Sequence, residues 1–256
     1  MIISIDKFRS QTDKTIHDAK ELELTMYDIF STVKNMSVYW NDSYTQSFFQ
    51  VINKEVKIVD ELFNSFDKFL DVMKTITSRY TSLRDGAISQ IGYTDIINSF
   101  NYVPNEADES TIAKLKSSIT LTINTIEDDV ADMLSKIEPF ENANISFDNL
   151  DFNTEKSDFV GMADNMPEEI KKMEIKLELL RRKSDLLLEG LYSLALLYSS
   201  HNSSIIVEKI EDIKVSIEIL SSDLFRALEY IRSRQDSYKQ LFANLASSIR
   251  GIKYDK

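Results

Sequence analysis

The sequence predicts an all-α protein in which long antiparallel helical hairpins form a bundle and one helix-turn-helix hairpin occurs twice. Three observations support this fold class. The 256 residues include only 5 Gly and 3 Pro, so the chain has few of the residues that tight turns require. Apolar residues recur at alternating steps of three and four over long stretches, which is the spacing of a helical seam. The same pattern, with its turn, appears near both ends of the chain.

The first two predicted helices cover about 5–38 and about 43–83 and form one hairpin. The apolar seam of the first consists of Ala19, Leu22, Met26, Ile29, Val33 and Met36. The seam of the second consists of Phe48, Ile52, Val59, Leu62, Phe66, Phe69, Met73, Ile76, Tyr80 and Leu83, and Glu55 interrupts it. Val56, Phe63, Leu70 and Val72 widen that stripe. A stripe of this width favours packing against more than one neighbour, as in a helical bundle.

The sequence then predicts a short helix over 88–100 and a long helix over 110–137. Gly86 and Gly92 are interpreted as the end of the helix before them. The seam of the long helix consists of Ile112, Leu115, Ile119, Ile126, Val130, Met133 and Ile137.

Two more long helices are predicted, one that begins near Pro167 and one over about 204–249. Proline suits a first helical turn because its missing N–H has no partner there in any case. The seam of the earlier helix consists of Ile170, Met173, Leu177, Leu180, Leu187, Leu191, Leu194 and Tyr198, with Ser184 in a gap. The seam of the last consists of Ile206, Ile210, Ile213, Ile217, Leu220, Leu224, Ala227, Ile231, Tyr238, Leu241 and Leu245, with Arg234 as an interruption.

The helical pattern stops over residues 138–165, which hold seven acidic residues and one Lys. Asn, Asp and Ser are dense in this segment, a composition typical of a linker or a long loop. We therefore expect three parts. Residues 1–137 form an N-terminal hairpin with extra helices, residues 138–165 an acidic linker, and residues 166–256 a C-terminal hairpin.

The two hairpins align without a gap at an offset of 158 residues, which places Trp40 on Tyr198 and Tyr80 on Tyr238. Most seam positions of residues 19–83 then meet an apolar residue of 177–241. Any two heptad helices align in about one phase of seven, so a single matching arm would mean little. Two arms and a turn in phase together favour a tandem repeat. The first turn, Trp40–Ser43, offers Asp42 or Ser43 as the N-cap of the helix that follows.

The net charge of −12 disfavours two classes of partner. A nucleic acid requires a basic face that displaces phosphate counterions, and an anionic membrane also attracts basic segments. The most apolar stretch, 186–198, contains Glu189 and is too short to span a bilayer, so no stable membrane insertion is expected. Residues 1–10 lack the pattern of a secretory signal peptide.

Catalytic and cofactor sites are not predicted, so we expect a non-enzymatic protein without a metal or another cofactor. The chain has no Cys and two distant histidines, His17 and His201, so neither a thiolate site nor a histidine cluster is expected. Five scattered glycines form no phosphate-binding loop.

The first hairpin resembles the Trp-x-Gly (WXG) family of helical hairpin proteins, which Gram-positive bacteria export through type VII (ESX-like) secretion systems. The resemblance rests on Trp40 at the turn, Phe48 eight residues later and Tyr80 near the end of the second arm. It extends to the longer helical targeting domains of the related LXG proteins. The family implies hairpins that pair into a four-helix bundle and a Tyr-x-x-x-Asp/Glu export element.

The first hairpin departs from the family pattern at two points, and the second copy has Tyr198 in place of Trp and no Gly in its turn. The turn reads Trp40-Asn41-Asp42, with Asp where the family has Gly. Asp85 lies one position later after Tyr80 than the export element requires. Another match, Tyr102 to Glu106, contains Pro104, which disfavours a helix there.

The resemblance implies a bacterial protein that is secreted without a cleavable signal peptide, or is cytoplasmic before its export. Tyr80 with Asp85 is then the predicted export signal, and Trp40, Asn41, Asp42 and Tyr198 form the turn motif. The predicted interaction seam consists of Phe48, Phe66, Phe69, Leu220, Leu224 and Tyr238. One chain would supply both hairpins of a pair.

Three functions agree with the sequence. The first is a substrate or targeting partner of a type VII secretion system. The second is a helical scaffold or adaptor that dimerises through its seams. The third is an α-helical toxin, for which an apolar tongue or a basic face would be required. In the first two cases the expected partner is another protein or a second copy of the chain, because long apolar seams that stay uncovered promote association.

Overall fold

The computed structural model of the chain describes residues 4–40, 45–91, 106–137, 165–198 and 203–251. This part of the chain contains five α-helices and no strand, so the predicted all-α fold class is confirmed. The helices are α1 (Ile5–Met36), α2 (Thr45–Ile91), α3 (Glu106–Ser135), α4 (Met166–Leu197) and α5 (Ser203–Gly251). At about 1.5 Å per residue, α2 and α5 are each roughly 70 Å long.

The apolar seams of the sequence form the interior of the helical packing. Every predicted seam residue of α1 and α4 is buried, from Ala19 in α1 to Tyr198 just after α4. Three polar side chains that interrupt the seams are buried too: Glu55, Ser184 and Arg234 are 1%, 7% and 2% exposed. The period of three and four therefore predicts which face each helix buries, even at positions where the residue is polar.

The second helices of the two hairpins begin at matching positions at the offset of 158. Thr45, the start of α2, corresponds to Ser203, the start of α5. Burial follows the same correspondence, because Trp40 and Tyr198 are both buried, as are Phe66 and Leu224. Each polar interruption has an apolar counterpart in the other copy. Glu55 corresponds to Ile213, Ser184 to Met26 and Arg234 to Ile76.

The described helices fall into two compact units. The first comprises the described residues within Met1–Ala19, Asn64–Phe140 and Leu187–Ile213, and the second comprises the described residues within Lys20–Phe63, Glu141–Leu186 and Lys214–Lys256. Each unit contains the first part of one helix of a hairpin and the last part of the other helix of that hairpin, as expected when the two helices are antiparallel. Each unit also combines segments of the first hairpin (α1 and α2) with segments of the second (α4 and α5).

In the first unit, α1 contacts both its own hairpin and α4. The Arg84 guanidinium at the end of α2 lies 3.1 Å from a carboxylate oxygen of Asp6 in α1. The Gln11 amide of α1 donates to the carbonyl oxygen of Gly190 in α4 at 3.3 Å. A Cβ on Gly190 would lie 3.1 Å from the Thr15 hydroxyl, so the missing side chain permits a close approach of α1 and α4.

In the second unit, lysines of α4 pair with the second half of α1. The Lys183 ammonium lies 2.8 Å from a carboxylate oxygen of Glu21, and the Lys176 ammonium lies 2.8 Å from one of Asp28. Lys176 also donates to the Thr32 hydroxyl at 2.7 Å. Because both lysines are half-buried, these pairs define the register of α1 against α4 better than fully exposed pairs would.

The structure differs from the sequence prediction at the end of α2. The sequence predicts an end near 83, with Gly86 as a breaker and a separate short helix over 88–100. In the structure Gly86 lies inside α2, which continues to Ile91. One Gly costs about 1 kcal/mol in a helix, which a helix anchored by tertiary packing tolerates. The remainder of the predicted short helix, 92–100, lies outside the described residues, as does most of the predicted acidic linker.

Candidate functional site

The tip of the first hairpin is closed by aromatic side chains of both hairpins. Trp40 follows the last turn of α1 and is fully buried. Its ring centroid lies 5.0 Å from that of Phe48 and 6.2 Å from that of Phe49, both in α2. Tyr230 of α5 completes the cluster at 6.0 Å from Trp40, and its ring is stacked on Phe48 at 5.2 Å. The tip of the first hairpin is therefore packed against the second hairpin.

The tip of the second hairpin has the corresponding arrangement in the first unit. Tyr198 is 1% exposed, and its ring centroid lies 6.2 Å from that of Phe8 in α1. Tyr80 of α2 is close enough to Tyr198 for their phenol groups to interact electrostatically. Each tip aromatic thus packs against a helix of the other hairpin, which makes the two hairpins mutual partners within one chain.

The residues of the predicted interaction seam are all buried. Phe48, Phe66, Phe69, Leu220, Leu224 and Tyr238 are at most 7% exposed. The Phe66 and Phe69 rings lie 6.3 Å apart in the first unit. Their contacts are internal to the chain, so this face is not open to an outside partner in this conformation.

The two residues of the predicted export signal differ in accessibility. Tyr80 is 4% exposed and its phenol oxygen donates to a carboxylate oxygen of Glu127 in α3 at 3.4 Å. Burial, then Tyr198 and Glu127, raise the pKa of Tyr80 well above its usual range. Asp85 is 61% exposed and lies 3.0 Å from Arg84. The Asp85 side chain is accessible in this conformation, whereas the Tyr80 side chain is buried beside Glu127 of α3.

Helix α3 contacts other helices of the first unit through polar groups and through a buried apolar seam. The Arg79 guanidinium of α2 lies 2.5 Å from a carboxylate oxygen of Asp129. The Lys209 ammonium donates to the carbonyl oxygen of Ile137 at 3.2 Å, which satisfies a backbone acceptor past the end of the helix. The buried seam consists of Ile126, Val130, Leu134 and Ile137. Nearer the start of α3, the apolar side chain of Leu121 is 69% exposed.

A buried carboxyl group lies in the interior of the second unit. Glu55 of α2 is 1% exposed, and neither of its carboxylate oxygens has a hydrogen-bond partner among the described residues. Desolvation, with a smaller contribution from Asp223 of α5, raises the pKa of Glu55 to about 8. Glu55 is therefore mainly protonated and uncharged at pH 7.

Several residues of these clusters are not among the predicted site residues. Phe8, Phe49 and Tyr230 form the contacts at the tips, and Glu127 and Asp223 face buried partners. Tyr230 precedes the seam residue Ile231, so its position beside the seam is the one signal that the sequence offers. Of the predicted turn motif, Asn41 and Asp42 lie outside the described residues.

The described residues contain no group of three or more His, Cys, Asp or Glu side chains that could hold a metal ion. No helix among them is both long enough and apolar enough to cross a bilayer. In comparisons with known proteins, no family model, no curated protein and no solved structure matches the chain. The contacts described above are packing contacts between helices.

Proposed function

We propose that this chain is a non-enzymatic protein–protein interaction module that carries a complete hairpin pair, and that it is a substrate or targeting partner of a Gram-positive type VII secretion system. The observation that supports the proposal most strongly is the reciprocal packing of the tips. Trp40 packs on Tyr230 and Tyr198 packs on Phe8. In the family that the first hairpin resembles, such a pair is formed by two chains.

The proposed mechanism separates folding from recognition. The seams bury apolar surface inside the chain and give a stable helical body. Recognition then uses exposed side chains of this body, such as Asp85 of α2. Binding of Tyr80 by a receptor requires a conformational change that exposes it, because Tyr80 is 4% exposed and donates to Glu127 of α3. Export of the chain as a paired, helical body would require no cleavable signal peptide.

The test is a secretion assay in a Gram-positive host, with and without an active type VII system. The wild-type chain, an Asp85→Lys variant and an Asp71→Lys variant are expressed with the same tag. Asp71 is the matched control because it is an exposed aspartate of the same helix, 70% exposed against 61% for Asp85. We expect system-dependent secretion of the wild type and of the control, with a loss of about tenfold or more for Asp85→Lys. Equal amounts of the wild-type chain in the medium of hosts with and without an active type VII system would contradict the proposal.

The same assay tests the contribution of Tyr80. A deletion of residues 80–85 should abolish export, and circular dichroism should show whether the helical body remains. Export of the deletion variant at the wild-type level would remove Tyr80 and Asp85 from the proposed mechanism.

A helical scaffold that dimerises is the second candidate. The observation in its favour is the exposed apolar surface near the end of α5, where Phe242 is 52% and Ile249 is 67% exposed. Light scattering after size-exclusion chromatography separates the candidates. A mass near 29.5 kDa at all concentrations supports the fused pair, and a mass of about twice that value supports the scaffold.

A further inference from the structure

Two carboxyl groups lie at one level of helices α2 and α5 in the interior of the second unit, and we name them the carboxyl pair. Glu55 of α2 is 1% exposed and Asp223 of α5 is 2% exposed. Glu55 lies seven residues, about two helical turns, after Phe48, and Asp223 lies seven residues before Tyr230. Because the Phe48 and Tyr230 rings are stacked at 5.2 Å, the antiparallel helices bring Glu55 and Asp223 to the same level, where the two groups interact electrostatically.

The internal repeat shows that this packing position does not require a carboxyl group. At the offset of 158, Glu55 corresponds to Ile213 and Asp223 to Ser65. In the first unit Ile213 is fully buried and Ser65 is half-buried. One copy thus fills the position with an apolar and a hydroxyl side chain, whereas the other places two acids there. Buried acids stabilise a helical interface poorly, so the carboxyl pair calls for a reason other than packing.

Asp223 is the one charged group among the described residues that acts electrostatically on Glu55. The Arg226 guanidinium of α5, which is 47% exposed, lies 3.6 Å from a carboxylate oxygen of Asp223. The buried Arg234 lies over the Tyr238 ring, 5.7 Å from its centroid. Charged residues of α1 and α4 in this unit pair with each other: Glu21 with Lys183, and Asp28 with Lys176. The ionisation of Glu55 therefore depends first on its burial and second on Asp223.

Ionisation of Glu55 favours an open arrangement of α2 and α5. Neither carboxylate oxygen of Glu55 has a hydrogen-bond partner among the described residues, so the closed unit keeps the proton and the pKa rises to about 8. Water solvates the carboxylate once the helices separate, and the pKa returns towards its ordinary value of 4.5. Between these two values, opening releases one proton and becomes about tenfold more favourable per pH unit. Above pH 8 the closed unit also loses the proton, so the dependence levels off.

We propose that the carboxyl pair is a pH-sensitive switch within the second unit, in which loss of the Glu55 proton separates α2 from α5 locally and uncovers the seam residues Phe48, Leu220 and Leu224. Leu220 and Leu224 flank Asp223 in α5, and Phe48 precedes Glu55 by two turns. The switch gives the covered interaction seam a route to an outside partner. It goes beyond the proposed function and does not depend on type VII export.

Thiol labelling tests the switch, because the chain has no Cys of its own. Ile52→Cys places a thiol three positions before Glu55, at a side chain that is 3% exposed. Ile210→Cys is the matched control, because Ile210 is the repeat counterpart in the first unit and is fully buried. Each variant is made with native Glu55 and with Glu55→Gln, and alkylation by iodoacetamide is timed at pH 6, 7, 8 and 9. Comparison of the two backgrounds at one pH cancels the ionisation of the thiol itself.

At Ile52→Cys, the labelling rate with native Glu55 relative to Glu55→Gln should rise about tenfold per unit from pH 6 to 8 and then level off. At pH 8, with native Glu55, Ile52→Cys should be labelled at least about tenfold faster than Ile210→Cys, because the opening is local. Ala227→Cys, at a fully buried site four positions after Asp223, should give the same pH profile from α5. With Asp223→Asn added, the profile should level off at a lower pH, because the pKa of Glu55 falls.

Three results would overturn the inference. The first is a relative rate that does not change with pH at either Ile52→Cys or Ala227→Cys. The second is equal labelling of Ile52→Cys and Ile210→Cys at pH 8 with native Glu55, because the whole chain would then unfold together. The third is a profile that levels off at the same pH with and without Asp223→Asn, which would exclude Asp223 from the switch.

Discussion

The Trp40 ring lies 6.0 Å from the Tyr230 ring, which joins the turn of the first hairpin to the long second arm of the other hairpin. These residues are 190 positions apart in the sequence, so their contact reports how the two hairpins pair rather than how either one forms. At the other tip, Tyr198 contacts Phe8 in the first arm of the first hairpin. Both contacts bury large aromatic side chains, which supply much of the apolar area that holds helices together.

Replacement of Trp40 tests the importance of the first tip. We expect Trp40→Ala to lower the free energy of unfolding by about 3–5 kcal/mol, because it leaves a cavity among Phe48, Phe49 and Tyr230. The control is Val38→Ala, two positions earlier and 79% exposed, which should change stability by less than about 0.5 kcal/mol. Urea unfolding followed by circular dichroism measures both. Equal effects of the two variants would contradict the packed tip.

The raised pKa of Glu55 predicts a stability that falls with pH. Below pH 4.5 the carboxyl group is protonated in both the folded and the unfolded chain. Between pH 4.5 and about 8 the unfolded chain ionises while the folded chain keeps its proton, so rising pH favours unfolding. Glu55→Gln should remove this dependence and stabilise the protein at pH 8 relative to the wild type, by roughly 2–4 kcal/mol.

The control for this prediction is Glu61→Gln, an exposed glutamate of the same helix. Thermal unfolding of the three proteins at pH 4.5, 6 and 8 gives the comparison. If Glu55→Gln and Glu61→Gln follow the same pH profile, Glu55 is not held protonated in the folded chain.

The two glycines inside helices, Gly86 and Gly190, should respond differently to Ala. A Cβ added at Gly86 would have no atom within 4 Å, so Gly86→Ala should stabilise the protein by about 0.5–1 kcal/mol through helix propensity. At Gly190 the added methyl would lie 3.1 Å from the Thr15 hydroxyl and 3.2 Å from the Gln11 amide, which offsets that gain. Chemical unfolding of both variants checks the prediction. A gain at Gly190 as large as that at Gly86 would argue against the close approach of α1 and α4.

Helix α3 should be anchored through one half only. Leu134 is fully buried and Leu121 is 69% exposed. We expect Leu134→Ala to destabilise the protein by about 2–5 kcal/mol and Leu121→Ala to leave its stability nearly unchanged. Hydrogen exchange should show the faster opening of α3 in the Leu134 variant. Similar exchange in both variants would contradict the anchored second half.

Most of the fold is predictable from the sequence because the seams are periodic. Spacing alone places Leu187 and Ile210, for example, in the interior, and both are fully buried. The predicted end of α2 is wrong because it treats Gly86 as a breaker, although a single exposed Gly costs little in a helix anchored elsewhere. Propensity acts locally, whereas the length of α2 depends on tertiary packing.

The periodicity of the sequence does not predict which residues of the two hairpins contact each other. The pattern marks Glu55 as an interruption but gives no means of finding Asp223 as its neighbour, because that pairing depends on the register of α2 against α5. The contacts of Tyr230 are not predicted either, because they depend on the register between helices and Tyr230 lies beside the seam rather than on it. Seam positions also give no indication that Leu245 is open while Leu224 is buried, because exposure depends on where the neighbouring helices end.

The pairing of the two hairpins within one chain can be tested directly by cross-linking. Because the chain has no Cys, the double variant Glu21→Cys/Lys183→Cys introduces two unique thiols, at positions whose native side chains lie 2.8 Å apart in α1 and α4. A short bismaleimide is added to the dilute protein, and the products are separated by mass and digested for peptide mapping. We expect a cross-linked monomer in which peptides around 21 and 183 are joined. Cross-linked dimers, or no cross-link between these positions, would contradict the pairing of the hairpins within one chain.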